Sequence, residues 1–385
     1  MSCARADRAA SPFSAETVKT LLNVLFARVG KEVPPERLDE GYAPAPETVY
    51  MALNERCQCR CPMCTLGGKR GPGRFLPPER LARIVAELAP HGTFFVFYRQ
   101  EPLLHPDLDG ILEATSANGG RCQITTNGHL LAQFAERLAT PPVKLLWVSI
   151  DGPPDIHDRL RGVRGLFARA ERGIKAVAEA RNRGDGFPET IGVSVCVNGA
   201  TLPHLPSLFK HLATWPIDKV ILNHFRFVTP AMTQGGTPRP GLTAQPNCQP
   251  DSPLLSVRTA DFQAAIEAAQ TLLPMPFEVG PQLPLPLVEK YYRAPCEMIG
   301  PVQCVTPWFV TDLDIYGNFR HCGTVHDVTV PPSGNFLETW NGAEWRALRR
   351  ELLAASPFGG CGRCTHLFSS ADILFRALAT QSASE

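Results

Sequence analysis

The feature that most constrains the fold is a regular alternation of short apolar runs with amphipathic segments, which begins at Val49. Strand-like runs that alternate with segments of helical periodicity predict a parallel sheet with helices packed against it. Six such runs are present: TVYMALNE, TFFVFY, RCQITT, KLLWVSI, TIGVSVCVN and DKVILNHFRFV. A closed barrel of this kind needs eight units. The pattern therefore predicts an α/β fold with an open, partial (β/α)6 TIM-like barrel.

The composition excludes several classes of protein. With 44% hydrophobic and 19% charged residues, the chain has the composition of a folded globular protein and not of a disordered one. The net charge of +1 offers no electrostatic footprint for nucleic acid or for an acidic membrane. No run approaches the roughly 18 apolar residues of a membrane-spanning helix, and the first residues, MSCARADRAASPF, lack the apolar core of a secretory signal. We therefore expect a cytoplasmic protein with no nucleic-acid or membrane partner.

One group of cysteines lies directly after the first strand, in NERCQCRCPMC. In a cytoplasmic chain, cysteines are expected to be metal ligands and free thiols and not disulfides. Cys57, Cys61 and Cys64 have the spacing C-x3-C-x2-C. Three thiolates on a short loop can hold three irons of a 4Fe–4S cluster and leave the fourth iron open to a ligand. Cys59 lies off this frame but can supply a fourth thiolate, so a structural zinc site is the alternative that the spacing leaves open.

A second group of cysteines lies in the C-terminal part of the chain. Cys304 and Cys322 flank the pattern WFVTDLDIYGNFRHC, which predicts a hairpin that brings both thiols together. Cys361 and Cys364 follow a helical segment, GAEWRALRRELL. Four thiolates are enough to ligate every iron of a 4Fe–4S cluster, and a zinc ribbon is the structural alternative. Cys296, just upstream, is treated as a spare cysteine.

Polar residues follow the other predicted strands. Residues 99–102 follow the second strand, Asn127 follows the third, and Ser149 and Asp151 end the fourth. Active residues of parallel α/β sheets lie at the carboxyl ends of the strands. We therefore expect these side chains to share a ligand with the cysteine loop.

Taken together and in this order, the motifs resemble those of the radical S-adenosylmethionine (radical SAM) superfamily, in members with a C-terminal SPASM/twitch-type auxiliary-cluster domain. The resemblance covers roughly residues 47–366 and is carried by NERCQCRCPMC, QEPLLHPDL, ITTNG, VSIDGPPDIHDRLRG and the C-terminal cysteines. With four cysteines, the C-terminal pattern is similar to the shorter twitch form. The predicted organisation is an N-terminal extension (1–46), a radical SAM partial barrel (47–290) and a small α+β SPASM/twitch-like domain (291–385).

The resemblance implies the cofactors. Cys57, Cys61 and Cys64 would bind a 4Fe–4S cluster whose open iron chelates the amino and carboxylate groups of S-adenosyl-L-methionine. One electron, from a donor such as flavodoxin or ferredoxin, would then cleave SAM and release a 5′-deoxyadenosyl radical. An auxiliary 4Fe–4S cluster, fully ligated by protein, would be held by the four C-terminal cysteines: Cys304, Cys322, Cys361 and Cys364.

The resemblance also implies contacts to the methionine group of SAM. Glu101 matches the end of the family's Gly-Gly-Glu-Pro segment, where a carboxylate meets the methionine ammonium. Arg99 and Gln100 stand where the family has glycines, which is a departure because glycines let the backbone approach a ligand closely. Arg161 resembles the arginine that helps to hold the SAM carboxylate. As residues alone, Glu101 and Arg161 are equally compatible with ordinary surface charges.

Two further residues are predicted to contact SAM. Asn127 resembles the family's ribose-contacting residue, although the Asn-Gly pair is also a turn signal on its own. Ser149, at the end of the fourth strand, is the other predicted contact. His224, Arg226 and Tyr316 are candidate substrate contacts. The segment 228–257, which is rich in Pro, Gly and Gln, predicts an irregular lid over the active face.

The expected function is that of a radical SAM enzyme that abstracts hydrogen from a small biosynthetic intermediate. An auxiliary cluster would accept an electron from the substrate radical, so a net oxidation fits. Three alternatives remain open at this point. They are a peptide-modifying radical SAM maturase, transfer of the 3-amino-3-carboxypropyl group of SAM to a soft acceptor such as a metalloid, and a non-catalytic zinc or iron–sulfur protein.

Overall fold

The computed structural model describes residues 14–64, 72–234, 246–299, 303–322, 326–330, 335–354 and 359–365. Within these ranges, ten strands form a single sheet. In chain order the strands are β1 Thr48–Ala52, β2 Phe94–Tyr98, β3 Arg121–Thr126, β4 Val143–Ser149, β5 Thr190–Val197, β6 Lys219–His224, β7 Phe277–Gly280, β8 Val310–Leu313, β9 Phe319–Cys322 and β10 His326–Val330.

The sheet is an open, parallel one with an antiparallel edge. Strands β1 to β7 are neighbours in chain order, and each pair is parallel. Strand β8 pairs in parallel with the other side of β1, and β9 and β10 follow it in antiparallel pairing. Because β8 and β7 stand apart in the strand order, the barrel does not close. The predicted partial barrel is confirmed, and so is the C-terminal hairpin.

Two strands were not expected from the sequence. Strand β7 has four residues and none of them is buried, so it has neither the length nor the apolar run that marks a strand. Strand β10 also went unpredicted. The parallel pairing of β8 with β1 has no local sequence signal either, because it joins segments about 260 residues apart.

Helices connect successive parallel strands. Helix α3 shows why the sequence folds in this way: Pro77 and Pro78 stand at its start, where a missing N–H costs nothing. Leu81, Val85 and Leu88 fall on one face of this helix and are fully buried. In chain order the helices are α1 Ala15–Arg28, α2 Pro35–Asp39, α3 Pro78–Leu88, α4 Leu108–Ala117, α5 Ala135–Leu138, α6 Pro154–Arg161, α7 Leu166–Arg183, α8 Leu205–Leu212, α9 Pro230–Gln234, α10 Thr259–Leu272, α11 Leu285–Arg293, α12 Phe336–Trp340 and α13 Ala343–Ala354.

The two faces of the sheet differ in character. A side chain at Gly128 would lie 2.6 Å from Cβ of Ala170 on α7 and 3.1 Å from Cγ1 of Val148, so Val148 points toward that helix. Trp147 and Ser149 alternate with Val148 and therefore lie on the opposite face. This opposite face, which we call the open face, carries half-buried and mostly polar side chains from β1 to β6: Tyr50, Tyr98, Gln123, Thr125, Trp147, Ser149, Ser194, Cys196 and Asn223.

The N-terminal segment packs against the C-terminal helices. Helix α1 buries its apolar face, as its periodicity predicts, and contacts α13. The Trp340 indole N–H donates to the Pro44 carbonyl at 2.8 Å, and Asn341 exchanges hydrogen bonds with the backbone of Ala43. Residues 14–46 of the predicted extension therefore belong to the folded unit.

The proposed lid lies only partly within the described residues. Helix α9 and a short helical turn at Pro253–Leu255 occupy its two ends, while residues 235–245 lie outside the described ranges. None of the helices that the structure describes combines the length and the apolar character needed to cross a bilayer.

Candidate functional site

The first cysteine loop leaves β1 at the carboxyl edge of the sheet and is tied to three other segments. Within the loop, the side chains of Cys57, Cys61 and Cys64 are half-buried. The backbone N–H of Arg60 donates to the carbonyl of Arg161 at 2.9 Å. The loop is further bonded to residues 74 and 101 through the backbone at positions 55 and 56. These bonds hold the three thiols beside the ends of β2, β3 and β4.

The thiol of Cys59 lies among the predicted ligands. It is buried and hydrogen-bonds the sulfurs of both Cys57 and Cys61. This contact, followed by the positive charge of Arg161, lowers the pKa of Cys57 and of Cys61, whereas the pKa of Cys59 is raised. The thiolate form that a metal requires is therefore favoured at Cys57 and Cys61.

The donors fit an iron–sulfur cluster by their chemistry. Soft thiolates next to a guanidinium suit a cluster that carries its own negative charge. Among the described residues, no three Cys, His, Asp or Glu side chains already converge on one point as metal ligands do. The assignment of Cys57, Cys61 and Cys64 therefore rests on the donor set and its surroundings.

Glu101 lies at the centre of the carboxyl edge and is almost fully buried. Its carboxylate accepts the Thr126 hydroxyl at 2.6 Å, the Asn127 N–H at 2.7 Å and the Leu103 N–H at 3.2 Å. Burial raises the pKa of Glu101 to about 7, against the opposing effect of these donors. The side chain links the end of β2 to the end of β3 and is not the surface charge that the sequence left open.

Arg99 and Gln100, which stand where the family has glycines, adopt a left-handed backbone conformation. Their φ angles are 64° and 44°, in the left-handed region that glycine tolerates best. The Arg99 side chain turns toward β8, where it pairs with Asp312 at 3.3 Å and donates to the Tyr98 hydroxyl at 2.9 Å. Tyr98 in turn donates to Asp312 at 2.6 Å. The departure from the family pattern thus provides a buried link to the C-terminal hairpin.

Asn127 contacts the cysteine loop directly. Its side-chain amide donates to Sγ of Cys57 at 3.8 Å. Its carbonyl oxygen accepts the N–H of His129 at 2.9 Å, which is the turn contact expected of Asn-Gly, and the amide of Gln58 at 3.2 Å. Asn127 therefore both forms the turn and lies beside the predicted cluster.

Arg161 belongs to a buried ion pair. Its guanidinium contacts Oδ2 of Asp151 at 2.6 and 2.8 Å, and Oδ1 of Asp151 accepts the Cys196 N–H at 2.9 Å. Burial alone would lower the pKa of Arg161, but Asp151 and the cysteine loop raise it. A solvated helix charge, the alternative that the sequence left open, does not describe this residue.

Ser149 is half-buried on the open face, in register with Ser194. It lies at the carboxyl edge beside the other site residues.

The structure describes the side chains of three of the four predicted auxiliary-cluster cysteines. Cys304 and Cys361 are half-buried, and Cys364 is buried. Cys322 ends β9, but its side chain lies outside the described part of the structure. Cys296 is disulfide-bonded and is not a free thiol beside this group.

Arg363, inside the Cys361–Cys364 loop, fastens that loop to the end of α11. The guanidinium is 1% exposed. It donates to four backbone carbonyls at 2.6 to 2.8 Å, those of Tyr291, Ala294, Glu297 and Gly362. Burial lowers the pKa of Arg363 to about 10. The arginine therefore fixes the position of the loop cysteines relative to the barrel.

The three candidate substrate contacts lie in different surroundings. His224 is buried, hydrogen-bonds the Tyr292 hydroxyl at 2.9 Å and packs on Phe262, so it is a core residue. Arg226 is half-buried, and it lowers the pKa of the open-face tyrosine Tyr50 against the larger effect of burial. Tyr316 is 37% exposed on the outer surface. Of the three, Arg226 alone remains near the open face.

Sequence reasoning missed most of the open face. Trp147 lies across Gly192 of the neighbouring strand, where a side chain would come within 2.5 Å of the ring. Asn223 donates to Ser194 at 3.0 Å. The signal was the alternation of polar and apolar residues within β3, β5 and β6, which marks one face as not covered by helices.

A comparison with protein-family models matches residues 51–212 to the radical SAM superfamily. The matched segment contains the cysteine loop, Glu101, Asn127 and Arg161. Residues 51–212 therefore form a radical SAM domain. Members of this superfamily use a 4Fe–4S cluster and SAM, and the matched segment carries the residues at the carboxyl edge that the sequence predicts to bind them.

Curated relatives are similar over part of their length. The chain is 27% identical over 180 residues to an AdoMet-dependent heme synthase of Oleidesulfovibrio alaskensis, which covers 46% of this chain and 44% of that protein. It is 25% identical over 202 residues to an Fe-coproporphyrin III synthase of Methanosarcina barkeri (52% and 49% covered). It is 27% identical over 169 residues to a probable GTP 3′,8-cyclase of Pyrobaculum aerophilum (43% and 51% covered). The matches span about half the length of these relatives.

Solved structures share the fold over most of the chain. SuiB of Streptococcus suis, bound to the precursor peptide SuiA, has a TM-score of 0.58 at 15% identity and covers 86% of this chain and 74% of its own. Native anSMEcpe with bound AdoMet has a TM-score of 0.53 at 14% identity and covers 87% and 98%. At such identities the likeness shows the fold alone.

Proposed function

We propose that this radical SAM enzyme cleaves SAM reductively and abstracts hydrogen from a small-molecule substrate held against the open face. The observation that carries the proposal is the contact between the Asn127 amide and the sulfur of Cys57. This contact lies at the carboxyl edge of the sheet, where Glu101 and Arg161 also lie. Cys57, Cys61 and Cys64 would hold a 4Fe–4S cluster, which would relay one electron from a reductant to SAM. The remaining steps depend on the protein's own side chains.

Each predicted SAM contact has a role that its surroundings support. Glu101 is proposed to attract the methionine ammonium, because a carboxylate that already accepts three hydrogen bonds is fixed in place. Arg161 is proposed to face the SAM carboxylate while Asp151 holds its guanidinium. Asn127 and Ser149 are proposed to contact the adenosyl half, because both lie at the carboxyl edge.

The open face supports a small polar substrate. It offers hydroxyl, amide and phenol groups around the Trp147 ring, and Arg226 adds a cation. Such convergent polar groups around an aromatic surface are typical of small-molecule sites. A twitch-type auxiliary cluster on Cys304, Cys322, Cys361 and Cys364 is proposed to accept the electron of the substrate radical, which would make the reaction a net oxidation.

Transfer of the 3-amino-3-carboxypropyl group is not favoured. The sequence motives for it were the replacement of two glycines by Arg99 and Gln100 and the spare thiols that could hold a soft acceptor. Arg99 and Gln100 adopt a left-handed backbone that glycine tolerates best, and Arg99 is turned toward Asp312. Of the spare thiols, Cys59 hydrogen-bonds the predicted cluster ligands and Cys296 is disulfide-bonded. The replacement therefore gives no reason to expect a different bond of SAM to break.

Anaerobic incubation of the reconstituted protein with SAM and a reductant tests the proposal. We expect 5′-deoxyadenosine and methionine as products, and none from a Cys61→Ala variant. Methylthioadenosine as the main product would overturn the assignment of the cleaved bond. Stoichiometric zinc with no capacity to take up iron would overturn the radical chemistry altogether.

A further inference from the structure

The segment around the first cysteine loop carries an excess of positive charge. Residues 55–83 contain seven Lys and Arg residues and two Asp and Glu residues, a local net charge of +5, while the whole chain carries +1. A local excess of this size attracts an acidic partner and orients its approach.

Part of this charge lines a shallow pocket on the outer surface, with a volume of about 400 Å³. Arg74, Arg80 and Arg83 line it together with Phe75 and Tyr316, and the acidic side chain among its lining residues is Glu79. Arg74 and Arg83 are exposed. The pocket is thus a cationic surface with an aromatic floor, open to a protein partner.

The pocket lies against the base of the cysteine loop. The N–H of Glu55 donates to the Arg74 carbonyl at 3.1 Å, and Asn54 forms an isolated bridge with Phe75. Cys57 follows two residues after Glu55. The segment that carries Arg74 is therefore joined through its backbone to the segment that leads into the cluster ligands.

The pocket also reaches the C-terminal hairpin. Arg74 donates to the Tyr316 hydroxyl, and Arg80 donates to the Tyr316 carbonyl. Tyr316 lies in the turn between β8 and β9, and β9 ends at Cys322. The arginine surface therefore spans the outer side of both cysteine-bearing segments.

We propose that this surface, Arg74, Arg80 and Arg83 around Tyr316, is the docking site of an acidic one-electron carrier protein. The inference rests on the proposed function, because a reductive cleavage requires a donor. One electron leaves the reduced carrier and passes through the cluster to SAM. The S–C5′ bond then breaks to give methionine and the 5′-deoxyadenosyl radical.

An electron carrier fits this surface better than an acidic peptide substrate does. The pocket is lined by the start of α3, which packs on the helix-covered face of the sheet, and by the outer turn of the hairpin. A substrate has to reach the open face, where the radical is proposed to act. A carrier needs only proximity to the cluster loop.

The test uses the full-length, cluster-loaded protein and an acidic flavodoxin kept reduced by its reductase. In the variant Arg74→Glu/Arg83→Glu, we expect the flavodoxin concentration for half-maximal SAM cleavage to rise about tenfold at low salt, since charges at a docking surface act mainly on association. Photoreduced 5-deazariboflavin, a small uncharged reductant, should drive both proteins equally. The flavodoxin-driven rate of the wild type should fall steeply with ionic strength, and that of the variant should not.

A matched control reverses two arginines elsewhere. Arg121, at the amino end of β3, and Arg172, on α7, are both exposed. The variant Arg121→Glu/Arg172→Glu has the same net charge as the docking variant and should keep the wild-type dependence on flavodoxin. An equal loss in both variants would show that only net charge matters and would overturn the docking site.

The outcomes separate this inference from the proposed function. Failure of the wild type to cleave SAM with deazariboflavin contradicts the proposed function. If the docking variant cleaves SAM normally with deazariboflavin and needs no more flavodoxin than the wild type, the docking site is contradicted. Protection of the arginines from chemical modification by an acidic peptide would then show that this surface binds an acidic peptide instead of an electron carrier. If the double variant loses both activities, Arg83→Glu alone, on an exposed helical position, provides the same comparison.

Discussion

At the scale of single residues, the carboxyl of Glu101 gives the site a dependence on pH. Burial raises the pKa of Glu101 from 4.5 to about 7, so the folded protein binds this proton more tightly than the unfolded chain does. The neutral carboxyl therefore contributes to the free energy of unfolding at low pH, and this contribution is lost as pH rises from 4.5 through about 7. A neutral carboxyl attracts an ammonium weakly. We therefore predict that SAM binds more tightly as pH rises from about 6 to about 8, with proton release on binding, measured by calorimetry of the cluster-loaded protein in two buffers.

Replacement of Glu101 by Gln is the matching control. The amide keeps the shape and one acceptor for Thr126, so the cluster content should be unchanged. A charge-assisted hydrogen bond contributes about 1.5–3 kcal/mol, which corresponds to at least about tenfold weaker SAM binding. The pH dependence should also disappear. Binding that keeps the wild-type slope would show that another group titrates.

At the scale of structural elements, Arg363 makes the Cys361–Cys364 loop dependent on α11. We predict that Arg363→Gln lowers the iron content by about half, because the loop loses most of the three hydrogen bonds, to Tyr291, Ala294 and Glu297, that hold it at the end of α11. SAM cleavage with a small reductant should persist. Arg293→Gln, an exposed position on the same helix, should retain all iron. Full iron content in Arg363→Gln, measured by colorimetric iron assay, would mean that the cysteines alone position the loop.

The buried ion pair between Arg99, which follows β2, and Asp312 on β8 is a second contact between structural elements. In Arg99→Gly, glycine relieves the strain of the left-handed backbone, which raises the free energy of unfolding by about 1 kcal/mol. Asp312 loses its buried cationic partner, which lowers the free energy of unfolding by about 3–5 kcal/mol. We predict a net loss of about 2–4 kcal/mol in the free energy of unfolding, measured by denaturant titration of the apoprotein. The double variant Arg99→Gly/Asp312→Asn should be less destabilised than the sum of the single variants. Strict additivity would show that the pair does not interact.

The sequence predicted elements better than the contacts between them. The six strands, the amphipathic helix at residue 15 and the hairpin before Cys322 follow from local periodicity, and the cysteine loop follows from its spacing. The pairs Asp151–Arg161 and Arg99–Asp312 do not, because each partner looks like a surface charge on its own and becomes a buried group only when the strands assemble. The polar character of the open face was readable from alternation within the strands.

At the scale of the whole molecule, two sets of cysteines predict two clusters. We expect about eight irons per chain after anaerobic reconstitution. Replacement of Cys57, Cys61 and Cys64 together by Ala should remove about half of this iron, because the C-terminal set stands on other segments. Iron that falls to zero in this variant would show that the two sites assemble as one. The measurement is iron and sulfide analysis beside zinc determination.

The continuity of the sheet through β8 and β1 has a practical consequence for anyone who wishes to shorten or recombine this protein. Removal of everything after β7 would remove β8 and so expose the backbone of β1 on the side that faces away from β2. Strand β1 includes the apolar residues Val49 and Met51. An uncovered, apolar border strand is a template for another chain, and such fragments precipitate. A minimal version of the barrel must therefore keep residues 303–322, and a graft of a foreign C-terminal module will succeed only if that module brings a strand of its own to lie along β1.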